Sequence, residues 1–150
     1  MTSVDDSSVE LRCAVAAVRG DAVLLVQRPD HGDWVLPGGR PHAHEGMASC
    51  ARREVREETG LNVYPNRCAL VLEVNDPVTH HRIVELVFVS KEFDTVTPLT
   101  GEPGRRPVWV GWDELKTLTL HPPIAGFLPD VRRAGCARYL GNVWRPGPDT

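Results

Sequence analysis

The sequence predicts a mixed α and β fold in one domain. Three observations carry this expectation. Short β-branched and apolar runs recur between Gly, Pro and Asp punctuation. One proline-free stretch carries apolar residues at helical spacing. Strand–helix–strand units are too few for a doubly wound parallel sheet, and the predicted order is β-β-β-α-β-β-β-α. A chain of 150 residues is long enough to bury its own core without disulfides or a structural metal.

Residues 1–9 are polar and acidic and read as a disordered leader, ahead of a folded domain over residues 10–144. Leu11–Val18 and Ala22–Gln27 are strand-like runs separated by Arg19-Gly20-Asp21, a hairpin-turn signal, so the two are expected to pair. His31-Gly32-Asp33 interrupts the pattern, Trp34-Val35-Leu36 supplies a brief third strand, and Pro37-Gly38-Gly39 opens a loop. From Gly46 to Thr59 there is no proline, and Met47, Ala51 and Val55 recur every four residues, with Ala48 one turn before Ala51. Gly60 supplies the helix stop, because glycine takes the left-handed conformation readily.

Cys68–Val74 and Arg82–Phe93 are the next strands, expected to pair through Asn75–His81. A Pro/Gly loop from Pro98 to Pro107 leads into a short strand, Val108-Trp109-Val110, and Trp112-Asp113-Glu114-Leu115 opens a helical turn. Residues 124–139 are expected to form a last helix, with Pro129 kinking it or delaying its start to Asp130. Arg145–Thr150 reads as a flexible tail.

Composition narrows the function classes. There are 17 Lys+Arg against 20 Asp+Glu, a formal net charge of −3 and a pI near 6.1, so no global positive field draws the chain to nucleic acid or an anionic membrane. No apolar run approaches the roughly 20 residues that span a bilayer. The N-terminal residues lack the basic and apolar regions of an export signal, so the cytoplasm is the expected compartment. Cys13, Cys50, Cys68 and Cys136 form no C-x-x-C pair and read as structural thiols. A homodimer is left open, since nothing in the residues sets the number of copies.

The chemistry concentrates between Gly38 and Leu61. Glu54, Glu57 and Glu58 stand at i, i+3 and i+4, which at about 100° per residue places three carboxylates on one sector of the helix. Held toward a cleft, such acids call for a cation. Mg²⁺ or Mn²⁺ suits them, since hard divalent ions take carboxylate oxygens together with substrate phosphates. Gly38 and Gly39 allow close approach of the backbone and leave a carbonyl as a further oxygen donor. Taken alone, the three glutamates also fit a solvated acidic face with Arg52, Arg53 and Arg56 as surface partners.

The full spacing resembles the box of the Nudix hydrolases, G-x5-E-x7-R-E-U-x-E-E-x-G-U with U aliphatic. Here it is filled by Gly39, Glu45, Arg53, Glu54, Val55, Glu57, Glu58, Gly60 and Leu61. The flanking Trp34-Val-Leu-Pro-Gly-Gly and Trp109-Val-Gly-Trp-Asp-Glu-Leu are similar to the family's neighbouring segments. The resemblance implies an α/β/α sandwich with a mixed sheet between helices, and a hydrolase of phosphoric anhydrides. It further implies that Glu54, Glu57 and Glu58 bind metal with the Gly38 carbonyl, that Glu45 lies beside them, and that Arg53 orients a glutamate by salt bridge. Ions held there would polarise phosphoryl oxygens and acidify a bound water. Glu54 and Glu57 are the alternatives for the group that accepts the proton.

Two departures from the family pattern concern His42 and His44, where a glutamate and a glycine are common, and Val108, where some members place a late glutamate. His42 and His44 read as a surface pair, and Glu85 and Glu102 are the weak candidates to replace the late glutamate. For the substrate, Arg82, Glu85 and Trp34 are candidate contacts. Trp34, Trp109 and Trp112 fit core or rim as well as base stacking, Arg105-Arg106 fit phosphate binding as well as a solvated surface, and His80-His81 fit a solvated surface. The expected reaction is metal-dependent cleavage of the diphosphate linkage of a nucleoside diphosphate derivative, first a nucleoside triphosphate giving the monophosphate and pyrophosphate. ADP-ribose or a nucleotide sugar is the second expectation. A nucleotide-sensing module without catalysis is the rival class, disfavoured because every box acid is present. Messenger-cap hydrolysis is disfavoured by the lack of a basic tract.

Overall fold

A computed structural model of the chain describes residues 8–29, 32–94, 98–133 and 135–146. Most of the expected leader, and the end of the expected tail from residue 147, lie outside the described residues. The first hairpin forms as the sequence predicts, from β1 (Glu10–Arg19) and β2 (Ala22–Arg28), with Gly20 in the turn at φ 56°. β3 (Asp33–Val35) pairs antiparallel with β2, and the two-residue β4 (Gly38–Gly39) pairs with Cys13 and Ala14 of β1. α1 (Met47–Thr59) follows and ends at Gly60, whose φ of 76° is the left-handed cap expected from the sequence.

β5 (Asn62–Val63) leads to β6 (Arg67–Asn75) and β7 (Arg82–Ser90), which pair antiparallel as predicted. The predicted strand to Phe93 is divided, because β7 ends at Ser90 and β8 (Phe93–Asp94) turns away to pair with β5. β9 (Pro107–Gly111) and α2 (Trp112–Leu115) match the predicted strand and helical turn. Among the described residues, eight strands form one mixed sheet in the order β10-β6-β7-β1-β2-β3, with β4 beside β1 and β9 beside β2. β10 is Arg138–Asn142.

β10 overturns the expected last helix. Among the described residues of the predicted span, the helical segment is Leu128–Arg132, a 3-10 helix that buries Leu128 and Val131 three residues apart. Beyond Arg132, Gly135 and Gly141 sit at φ 150° and 72°, outside the helical range. Tyr139 and Leu140 are instead carried into an edge strand parallel to β6.

The central strand β1 is buried on both faces, which is why it reads as a continuous apolar run. Cys13, Val15 and Ala17 pack against Cys50, Ala51 and Val55 of α1. Ala14, Ala16 and Val18 belong to the opposite layer, with Leu115, Leu120, Ile124, Leu128 and Val131. The sheet therefore lies between α1 and the α2/3-10 segment, the sandwich that the resemblance implies. Met47 is 43% exposed, so the helix contact runs from Cys50 to Thr59 rather than beginning at Met47. No helix among the described residues is long and apolar enough to cross a membrane.

Candidate active site

The site forms where α1 meets β4. An added Cβ on Gly38 would lie 2.4 Å from the Cys13 carbonyl oxygen, and one on Gly39 would lie 2.4 Å from the Glu54 carboxylate carbon. Gly38 is thus required by close approach to the backbone of β1, whereas Gly39 sets the backbone against an acid of α1. One turn after Glu54, Glu58 is buried and accepts a hydrogen bond from the Gly38 N–H at 3.3 Å. Burial pushes its pKa up to about 7 from 4.5, against the pull of Arg12 and of the Gly38 N–H.

Arg53 gathers the remaining box acids. It donates from Nε and Nη2 to the two oxygens of Glu45 at 2.8 and 2.9 Å. Nη1 reaches Glu54 at 2.8 Å and Glu57 at 3.2 Å, and Nη2 also reaches the Arg40 carbonyl at 3.1 Å. The bidentate pairing holds the Glu45 carboxyl down at about 2, helped by the His42 N–H, and raises the guanidinium in turn. Glu57 remains half exposed. With Glu54 and Glu57 turned to Arg53, no three His, Cys, Asp or Glu side chains among the described residues are gathered as an ion-holding group.

The Gly38 carbonyl is already engaged. Arg12 donates to it from Nη1 at 3.0 Å, to the Leu36 carbonyl from Nη2 at 2.7 Å, and to Glu85 from Nε at 2.5 Å. Glu85 is 2% exposed, and among the described residues its Oε2 has no hydrogen-bond partner. Burial raises its pKa and Arg12 opposes the rise. Arg12 and Glu85 line a cleft of about 700 Å³ including its open mouth, together with Glu58, Arg28, Arg105 and His121. Arg28 is held bidentately by Asp33 at 2.7 and 2.6 Å.

The NUDIX domain family matches residues 10–131, most of the chain and the whole of this site. The chain belongs to the Nudix hydrolase family. Diphosphoinositol polyphosphate phosphohydrolase 2 of Homo sapiens is 30% identical over 132 residues, covering 86% of this chain and 72% of that protein. An 8-oxo-dGDP phosphatase of Danio rerio is 31% identical over 129 residues, covering 84% of this chain and 37% of that protein. Among solved structures, the MutT Nudix hydrolase of Burkholderia pseudomallei is similar with a TM-score of 0.65 at 26% identity, over 72% of this chain and 87% of that one.

The structure thus brings Glu45, Arg53, Glu54 and Glu57 of the Nudix box into one hydrogen-bonded group and sets Glu58 against Gly38. Of the substrate candidates, Glu85 lines the cleft. Trp34 packs on the core layer opposite α1, and Arg82 reaches Asn75 at 3.4 Å and Glu73 at 3.8 Å. Arg12, Arg28 and His121 were not singled out by motif or spacing. Arg12 did leave a signal, as a charge set inside an otherwise apolar strand run, and Glu85 left the same one. Cys13 and Cys50 are both fully buried beneath the site, and burial pushes the Cys50 thiol up to about 12, so they fill space rather than react.

Proposed function

We propose that this Nudix hydrolase is a Mg²⁺- or Mn²⁺-dependent pyrophosphohydrolase of a nucleoside diphosphate derivative, with a nucleoside triphosphate cleaved to the monophosphate and pyrophosphate as its first reaction. One observation carries the reading: Glu58 and Glu54 of α1 seat directly on Gly38 and Gly39, and Glu58 lines a cleft bearing Arg12, Arg28 and Arg105. The donor chemistry fits a hard divalent ion. Glu58 is a buried carboxylate, and Glu54 lies against a glycine whose Cβ would fill the same space.

Glu54, Glu57 and Glu58 would hold the ion, with the Gly38 carbonyl beside them. When bound, it supplies charge neutralisation at the phosphoryl oxygens and a water acidic enough to attack near neutral pH. Arg53 fixes the orientation of Glu54 and Glu57 against Glu45, and one of those two helix acids takes the proton of the attacking water. The cleft arginines face the phosphates, whose charge they match. One water is consumed, and the P–O–P bridge opens into two phosphate products.

The test follows product release by the purified protein with Mg²⁺ over a panel. The panel holds nucleoside triphosphates, 8-oxo-dGDP, ADP-ribose, a nucleotide sugar and a diphosphoinositol polyphosphate. A nucleoside triphosphate is expected to give the highest kcat/KM, with activity lost on chelation. Glu57→Gln is expected to lower kcat by roughly a hundredfold or more while the protein stays folded, because Glu57 is half exposed and the amide keeps its shape. Full activity of that variant would overturn the assignment. Binding of nucleotide without any turnover would favour the sensing module.

A further inference from the structure

The bond between Arg12 and the Gly38 carbonyl sets a conflict inside the site. β1 and β7 run parallel with Arg12 and Glu85 as register partners, so the strand pairing itself places this guanidinium on a buried carboxylate. Glu85 holds Nε, the Leu36 carbonyl holds Nη2, and Nη1 is left to cap the carbonyl of Gly38. The N–H of the same glycine is held by Glu58 of α1. A carbonyl oxygen has two lone pairs, so geometry alone permits a second partner there. Charge opposes it, because a divalent ion on that oxygen would stand within a few ångströms of a guanidinium whose attachment to Glu85 keeps it in place.

We propose that Arg12 caps the Gly38 carbonyl while the site holds no ion and yields it when phosphate oxygens enter the cleft, so that ion loading and substrate binding are coupled through this one guanidinium. The proposal rests on the metal-dependent reading above and adds an order to it. Among the described residues, the three bonds leave further N–H donors of the five that a guanidinium carries, and Arg12 lines the cleft. A phosphate on those donors neutralises the charge that opposes the ion and offers Nη1 a stronger acceptor than a carbonyl. Nε stays on Glu85 as a pivot. Linkage then requires each ligand to tighten the other by the same factor. Arg12 is in this sense a positioning residue for the Gly38 carbonyl.

The test is Mn²⁺ binding, read from the free-ion electron paramagnetic resonance signal. Wild type, Arg12→Gln and Arg12→Lys are titrated with Mn²⁺ alone and with Mn²⁺ plus an α,β-methylene nucleoside triphosphate that cannot be cleaved. With Mn²⁺ alone, Arg12→Gln is expected to bind about tenfold more tightly than wild type, because the opposing charge is gone. The analogue is expected to tighten Mn²⁺ binding less in Arg12→Gln than in wild type, by about the same factor. Arg12→Lys cannot span two carbonyls and Glu85 as a planar fork does, and it is expected to fall between the two. It carries the test if circular dichroism shows Arg12→Gln unfolded. Equal or weaker Mn²⁺ binding by the variants, with the ion alone, overturns the coupling and leaves the metal-dependent reading standing. No Mn²⁺ binding by any of the three proteins, with or without analogue, overturns both.

Discussion

Glu58 and Glu45 belong to the same box, yet their surroundings move them in opposite directions. The Glu45 carboxyl is held at about 2 by Arg53, so its contribution to stability is present above its ordinary 4.5 and is lost as pH falls toward 2. The Glu58 carboxyl is pushed to about 7 by burial. Between 4.5 and 7 the folded, metal-free chain binds more protons at Glu58 than the unfolded chain does. Stability from this group is therefore full below 4.5, declines as pH rises through 7 and is level above, an effect of at most about 3 kcal/mol. Urea unfolding in the presence of chelator is expected to show a lower midpoint at pH 8 than at pH 5. Glu58→Gln is expected to flatten that difference, and Mg²⁺ to restore the wild-type midpoint at pH 8. Both glutamates were legible in the sequence as positions of a spaced motif. Their opposite environments were not, because spacing along a helix tells which residues share a sector but not which of them the sheet covers. The Arg12–Glu85 pair was hidden for a related reason: its partners are 73 residues apart, and only the register of two strands joins them.

Within the β4–α1 unit, neighbouring glycines serve different ends, and substitution separates them. A Cβ on Gly38 meets backbone, the Cys13 carbonyl oxygen at 2.4 Å and Ala14 Cα at 2.6 Å, which cannot move without disturbing β1. Gly38→Ala is expected to destabilise by about 1–3 kcal/mol, read as a fall in Tm of several degrees. The atoms nearest to a Cβ on Gly39 are the end of the Glu54 side chain, which can swing aside. Gly39→Ala is therefore expected to keep its Tm within a few degrees while kcat falls at least tenfold, because Glu54 is turned from the place that its role needs. The helix itself, its glycine stop and the hairpins on either side were readable from periodicity and turn residues. The final element was not. An apolar triplet at Ile124, Leu128 and Val131 imitates the start of a helix, and what replaces the rest is a strand that exists by virtue of pairing with β6.

At the scale of the whole molecule, the sheet divides the interior into a layer under α1 and a layer on the opposite face, and Val74 and Ile83 of the second layer line the cleft while Leu72 does not. Leu72 is fully buried in the second, with Leu115, Ile124 and Leu128. Leu72→Ala is expected to lower stability by about 2–5 kcal/mol, measured by urea unfolding, with kcat at 20 °C within about twofold of wild type. The sandwich was legible because its strands and the helix α1 are locally marked in the chain; the division of the core between the two faces follows only from the sheet order. That order has a consequence for biosynthesis. The parallel pairing of β1 with β7 joins the start of the chain to its second half, and α1 is complete well before β7 has been translated. On the ribosome, the helix with its glutamates emerges ahead of the strand that supplies the buried floor beneath the loop. The nascent polypeptide must keep β1 unpaired along that edge until synthesis passes Ser90, an interval in which chaperone capture competes with closure of the sheet.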